Sequence, residues 1–267
     1  MTTDERQMSA SIEMTVADST DFVIDLSVAR DVPATREHLD IRLDGEPIVP
    51  RELDDMHGTR AHRFTTGQGI LTIDYSATVV GRAPRAVVDP LDQAVYLRPS
   101  RYAESDALTD FARDVFGGKT GRELVLAVVD WVGVRLSYVP SSSMPTGGAQ
   151  ATLASSEGVC RDYAHLTIAL LRALDVPARM VSVYAPGLSP MDFHAVVEVL
   201  IDEVWYVFDA THLAPRKSMV RIATGRDAAD TAFITNTLSD IELVRLEVFA
   251  VTDKLPFDDW TEFVELG

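Results

Sequence analysis

The chain has 267 residues, 46% of them hydrophobic and 24% charged, which is enough apolar mass for one large domain or two modest ones and too much for a disordered segment. Asp and Glu number 41 against 24 Lys and Arg, a net charge of -17, and the excess is spread: 17 acidic against 10 basic up to residue 100, and 24 against 14 beyond it. Such a surface repels nucleic-acid phosphates and anionic lipids, and no basic stripe offsets it, so neither nucleic acid nor a membrane is expected as a partner.

There is one cysteine, Cys160. It cannot make an intrachain disulfide, and a cysteine-rich zinc site is excluded. The opening MTTDERQMSASIEMTV lacks the basic-then-apolar pattern of a signal peptide, and no run reaches the ~18 apolar residues of a membrane span. The expectation is a cytoplasmic protein with its thiol reduced.

Residues 11–80 read as antiparallel β structure. DFVIDLSVAR (21–30) alternates Phe22, Ile24, Leu26 and Val28 with polar neighbours. HLDIRLDG (38–45), TRAHRF (59–64) and GILTIDYSATVV (69–80) follow, separated by Gly-containing turns. Period two with turn residues between runs means strands with one buried face, here a small sandwich. GRAPRAVVDP (81–90) has linker composition, and the division drawn is 1–90 for a β domain and 91–267 for an α+β domain.

The period then changes. SDALTDFARDVF (105–116) predicts a helix with Leu108, Phe111, Ala112 and Val115 inward. GRELVLAVVDWVGVRLSYV (121–139) predicts a longer one, with Leu124, Val128, Trp131 and Leu136 on an apolar face. PSSSMPTGGAQATLAS (140–155) reads as an irregular rim. VCRDYAHLTIALLRALDV (159–176) is a strong helix ended by Pro177. ARMVSVYAPG (178–187), FHAVVEVLID (193–202) and EVWYVFDATHL (203–213) predict strands, the last two joined by a tight hairpin. SDIELVRLEVFAVTD (239–253) predicts one more. The fold class is α+β: an antiparallel β-sandwich-like region, then helices packed on an antiparallel sheet.

Cys160 opens its helix. Unpaired N–H groups and the helix dipole there favour a thiolate and can steady an oxyanion, although an isolated cysteine is more often an inert core residue. A base alters that balance. His165 sits five residues along the same helix, points away from Cys160, and reads as packing. His194 opens a strand after a Pro/Gly loop, and the hairpin register sets it opposite residue 211 with Asp209 close by. Asp209 can therefore hold the His194 ring in one tautomer, and Cys160, His194 and Asp209 form a candidate nucleophile–base–orienter set. His212 and Asp192 are alternates, and Asp162 reads as a structural cap or ion-pair partner. A zinc site built from Cys160, His194 and Asp209 is chemically admissible but lacks a separate base and a spacing signature.

GVCRDYAHLTIALLRALDVPARMVSVY, DFHAVVEVLI and VWYVFDAT, in that order, resemble the bacterial transglutaminase-like superfamily. The resemblance implies a papain-like core, with Cys160 as nucleophile, His194 as base and Asp209 as its partner. YLRPSRYAESDAL (96–108) matches that family's lead-in to the core. Two positions depart from it: Val196 stands where Trp is common, and Ala210 where Pro is common. Gln150 is too far from Cys160 in the chain to carry over as an oxyanion donor. The resemblance implies acyl transfer on peptide or amide bonds through a thioester, with hydrolysis favoured. Amine transfer and a non-catalytic scaffold are the alternatives. A peptide or other amide substrate is the expected partner; no cofactor and no metal are expected.

Overall fold

A computed structural model describes residues 4–237 and 239–267. Its strands and helices, in chain order, are β1 (Glu5–Val16), β2 (Thr20–Ile24), β3 (Ala34–Leu43), β4 (Glu46–Pro47), β5 (Arg51–Asp54), β6 (Arg60–Thr66) and β7 (Gly69–Val80). Then come α1 (Asp92–Val95), α2 (Thr109–Phe116), α3 (Gly121–Arg135), β8 (Ser137–Tyr138), α4 (Ala149–Ser155), β9 (Glu157–Gly158) and α5 (Cys160–Ala173). The last part holds β10 (Ala178–Tyr184), β11 (Phe193–Ile201), β12 (Val204–Phe208), β13 (Val220–Gly225), β14 (Ile234–Thr237) and β15 (Ile241–Thr252).

Two antiparallel sheets, ordered β15-β1-β7-β3-β4 and β14-β2-β6-β5, form the β-rich part. Their shared core takes every second residue of β1 (Met8, Ala10, Ile12, Met14, Val16) and of β7 (Leu71, Ile73, Tyr75, Ala77, Val79), facing Phe22, Ile24 and Phe64. This is the period-two pattern expected of half-buried strands. The first strand begins earlier than residue 11. Its alternating residues are mostly methionine and alanine, which carry little strand propensity, so only pairing on both sides reveals it.

A third sheet, β12-β11-β10-β13, carries the helices on one face. Leu166, Ile168, Leu170 and Leu171 of α5 are fully buried against α3 and against Met180, Val197 and Val199 of the sheet. Each such side chain contributes about 1.5–3 kcal/mol. On the other face, Val181, Val183, Val196 and Val207 pack against Met219, Val264 and Leu266.

Several elements differ from the sequence reading. The helix expected over 121–139 ends at Arg135, and Ser137–Tyr138 instead pairs in parallel with Glu157–Gly158. Residues 149–155 are helical rather than irregular, because the alanines after Gly148 outweigh the flanking Pro, Ser and Gly. Val115 is exposed, and Phe116 fills the inward position expected of it. The strand expected at 239–253 does form, but it extends the first sheet beside β1 and not the helix-bearing sheet.

The third sheet is joined to the β-rich part by more than apolar contact. The Tyr184 hydroxyl donates to the Leu26 carbonyl at 2.9 Å, and Ala29 N–H donates to the Arg221 carbonyl at 2.9 Å. Within the third sheet itself, Glu198 of β11 is fully buried between Arg179 of β10, at 2.7 Å, and Arg221 of β13, at 2.5 Å. Burial alone would raise its pKa, but the two guanidiniums outweigh that and hold it at about 2. Its folded-state pKa is below the unfolded one, so its contribution is complete above the ordinary glutamate range and is lost as pH falls toward about 2. Removing one charge strands the others without a partner. Glu198→Gln is expected to cost about 3–5 kcal/mol in urea unfolding at pH 7. A cost below about 1 kcal/mol would show the cluster to be incidental.

Candidate active site

The site is built where α5 begins. Asp162 accepts a hydrogen bond from the Val159 N–H at 2.9 Å, closing the first turn from inside. Asp162 is therefore a cap, as expected, with Arg161 3.6 Å away as a looser partner. Gly158 is needed here, since a Cβ at this position would lie 2.6 Å from the Asp162 Cβ. Cys160 follows as the first helical residue. It is a free, half-buried thiol whose main-chain N–H is among those a helix leaves unpaired.

His194 and Asp209 come from the β11–β12 hairpin. Asp202 and Glu203 form its two-residue turn, both in the left-handed region, with φ of 51° and 60°. The register pairs Ile201 with Val204 and Val197 with Phe208, as the sequence predicts. Continued, it sets Asp209 diagonally beside His194, and His194 Nε2 donates to Asp209 Oδ2 at 2.8 Å. The other carboxylate oxygen accepts from the Thr211 N–H at 2.9 Å and its hydroxyl at 2.7 Å. Asp209 is thus held at both oxygens and cannot swing away from the ring.

Both side chains are completely buried. Burial would push the His194 pKa down, but the Asp209 carboxylate and then Cys160 outweigh it and raise it to about 10. Burial likewise opposes the charged form of Asp209, yet His194 and Thr211 leave its carboxyl below the ordinary range. The second ring nitrogen, Nδ1, is buried and has no aligned hydrogen bond among the described residues. Cys160 and His194 line one cleft of about 310 Å³, together with Asp192, Phe193 and Phe233.

One residue at the sulfur was not singled out in the sequence. The short parallel pair β8–β9 sets Tyr138 opposite Gly158, and Val139 N–H donates to the Gly158 carbonyl at 3.0 Å. The pairing thereby brings Tyr138 to the start of α5, where Cys160 acts on its hydroxyl. Burial, then the neighbouring sulfur, pushes its pKa up to about 12, so it keeps its proton as a donor. The signal was the β-prone run Leu136–Val139 before Pro140, hidden by reading 121–139 as one helix.

Of the alternates, Asp192 lines the cleft, while the other histidines lie elsewhere. His165 is buried, stacks on Tyr102 at 5.2 Å, and accepts from the Ala228 N–H at 3.2 Å. Burial depresses its pKa to about 3, so it is neutral. His212 stacks on Trp260 at 4.2 Å. Trp131 packs edge-on against Phe111 and Phe116, and Gln150 is exposed on α4. Among the described residues, no group of three or more His, Cys, Asp or Glu is arranged to hold a metal ion, and no helix is long and apolar enough to cross a membrane.

A profile described as the Transglutaminase-like superfamily matches residues 109–210, the span from α2 to the end of the hairpin. The crystal structure of a candidate cysteine protease from Cytophaga hutchinsonii is similar over 100% of this chain and 96% of that one, at 31% identity and a TM-score of 0.88. The chain belongs to the transglutaminase-like superfamily.

A second relative, the uncharacterized protein ML0607 of Mycobacterium leprae, is 23% identical over 262 residues, covering 91% of this chain and 90% of that protein. The periplasmic domain of TgpA from Pseudomonas aeruginosa is similar at 17% identity over 75% of this chain and 91% of that chain, with a TM-score of 0.43. The cytoplasmic location expected from the sequence is not kept: the TgpA structure is that of a periplasmic domain. The thiol argument was weak in any case, because one cysteine has no intrachain partner in any compartment.

Asp209→Asn is expected to lower the His194 titration midpoint by several units, because the largest charge that opposes burial is gone and only Cys160 still opposes it. Histidine side-chain NMR across pH measures this. A midpoint unchanged by the substitution would show that Asp209 does not set the ring's charge. The wild-type pair also has a stability window. The His194 contribution is complete below the ordinary histidine pKa and is lost as pH rises through about 10; that of Asp209 is present above the ordinary aspartate range and is lost as pH falls through it.

Proposed function

We propose that the protein is a cysteine-dependent acyl-transfer enzyme that hydrolyses peptide or related amide bonds through a thioester on Cys160. The observation that carries this reading is the buried His194–Asp209 hydrogen bond of 2.8 Å beside the only sulfur nucleophile of the chain. The likeness to a candidate cysteine protease over the whole chain supports it further.

His194 accepts the thiol proton, and the Cys160 sulfur attacks the amide carbonyl carbon. A sulfur facing an imidazolium is the nucleophilic arrangement. The carbonyl oxygen takes up the negative charge between the Cys160 N–H and the Tyr138 hydroxyl, two donors at the start of one helix. Collapse breaks the C–N bond, and His194 gives its proton to the departing amine. Water, deprotonated by His194, then attacks the thioester; the sulfur leaves and recovers its proton from the ring. Asp209 stays ionised throughout and keeps Nε2 as the donor nitrogen, which leaves Nδ1 for the sulfur.

Mass spectrometry of a peptide-amide library tests the reaction. Wild type is expected to convert amides to acids and amines, while Cys160→Ala and His194→Ala lose about 10⁴-fold or more in rate. Products joined to an added amine in place of water would assign amine transfer instead, and turnover that survives Cys160→Ala would end the proposal. Tyr138→Phe is expected to lower kcat about 10- to 100-fold with KM little changed, since the lost hydrogen bond strengthens only in the transition state. An unchanged kcat would remove Tyr138 from the oxyanion site.

A further inference from the structure

The cleft at Cys160 is not closed by the helix-bearing part alone. Its far wall comes from the β-rich part: Asp25, just after β2, lines the same cavity as Cys160 and His194. Asp25 is 8% exposed, and its main-chain N–H donates to the Phe233 carbonyl at 3.1 Å, which fixes it beside the apolar lining. Its Oδ1 atom is buried without any hydrogen-bond partner among the described residues. A carboxyl placed so is costly to keep unless something pairs with it, and buried polar atoms in native proteins nearly always have partners.

None of the described residues supplies that partner. Arg161 lines the cleft, but its Nη2 donates to the Ser143 hydroxyl at 2.7 Å and the Met144 carbonyl at 2.6 Å, and its buried Nε makes no hydrogen bond to Asp25. Asp192, the other carboxylate lining the cleft, adds charge of the same sign, as does nearby Asp55. Ile222 and Phe233 line the same cleft and give it apolar surface suited to an aliphatic stem.

We infer that Asp25 is a specificity residue that pairs with a primary ammonium on the acyl-donor substrate, carried on an aliphatic stem such as a lysine-type side chain. This rests on the proposed hydrolysis at Cys160. The ammonium serves as an anchor and not as the attacking amine, because an amine held protonated by a carboxylate has no lone pair to offer. Burial, then the Asp55 charge, raises the Asp25 pKa to about 7, so an arriving cation draws the carboxyl fully into its charged form. The acidic surface of the whole chain favours approach of the same class of substrate.

Matched acetyl-capped peptide amides carrying lysine or norleucine at one scanned position test this, with an uncapped norleucine peptide as a third arm. Wild type is expected to prefer lysine over norleucine by at least about tenfold in kcat/KM at the position that meets Asp25, and Asp25→Asn is expected to bring the ratio to about one. Preference for the uncapped norleucine peptide would assign the same site to an α-ammonium. Equal turnover of charged and neutral peptides, or a preference that survives Asp25→Asn, overturns the inference. Calorimetric titration of the same peptides into Cys160→Ala reads binding alone. It is expected to show a tenfold preference that Cys160→Ala/Asp25→Asn loses, and equal binding overturns the inference even where no peptide is turned over. Failure of the hydrolysis reading is seen separately, as turnover that is absent or indifferent to Cys160. Should Asp25→Asn not fold, Asp25→Ser and the wild-type ratio decide the matter.

Discussion

A two-residue turn at Asp202-Glu203 determines which side chains of β11 and β12 meet, and through that it determines the chemistry at the start of α5. In an antiparallel pair, a slip of one residue would send Asp209 to the other face of the sheet and leave the buried His194 ring without its carboxylate. Both positive-φ residues of the turn are non-glycine, yet the twist of this turn matches that of the flanking strands, and Val197, Val199 and Phe208 are all buried in the core beneath α5. The same packing that stabilises the sheet therefore selects the register that the site requires.

The proposed nucleophile is positioned by a different device. Asp162 closes the turn below Cys160, and the β8–β9 pair holds Tyr138 beside it. Gly158 lets Asp162 approach closely enough to do so. Helix start, hairpin and short parallel pair are each anchored in the large core of α2–α5 and the third sheet. Functional groups here sit at the ends of rigid elements, where unpaired backbone donors are available and the supporting side chains are packed. The β-rich part adds the opposite wall of the cleft, so the two regions meet at the site as well as at the Tyr184–Leu26 and Ala29–Arg221 hydrogen bonds.

The sequence carried the hairpin well, because two apolar runs flank a short polar turn whose length admits one register. It also carried the helix of Cys160, where an unbroken apolar stripe ends at Pro177. What it hid had physical causes. Methionine and alanine in β1 give alternation without strand propensity. Tyr138 follows a helix with no glycine or proline between, so the short β-prone run before Pro140 reads as a continuation of that helix. The return of β15 to the first sheet, and the arrival of Asp25 across from Cys160, are long-range pairings that periodicity does not encode. An aspartate in a strand-like run reads as solvent-facing, and only its burial in the fold marks it out.

The account stands or falls on whether the sulfur of Cys160 carries the acyl group. Rapid acid quench of the enzyme during turnover of an amide substrate, followed by peptide mapping, measures this directly. The expected result is an acyl adduct on the Cys160 peptide that hydroxylamine removes and that His194→Ala does not form. Turnover with no adduct on that peptide, or an adduct on another side chain, would contradict it.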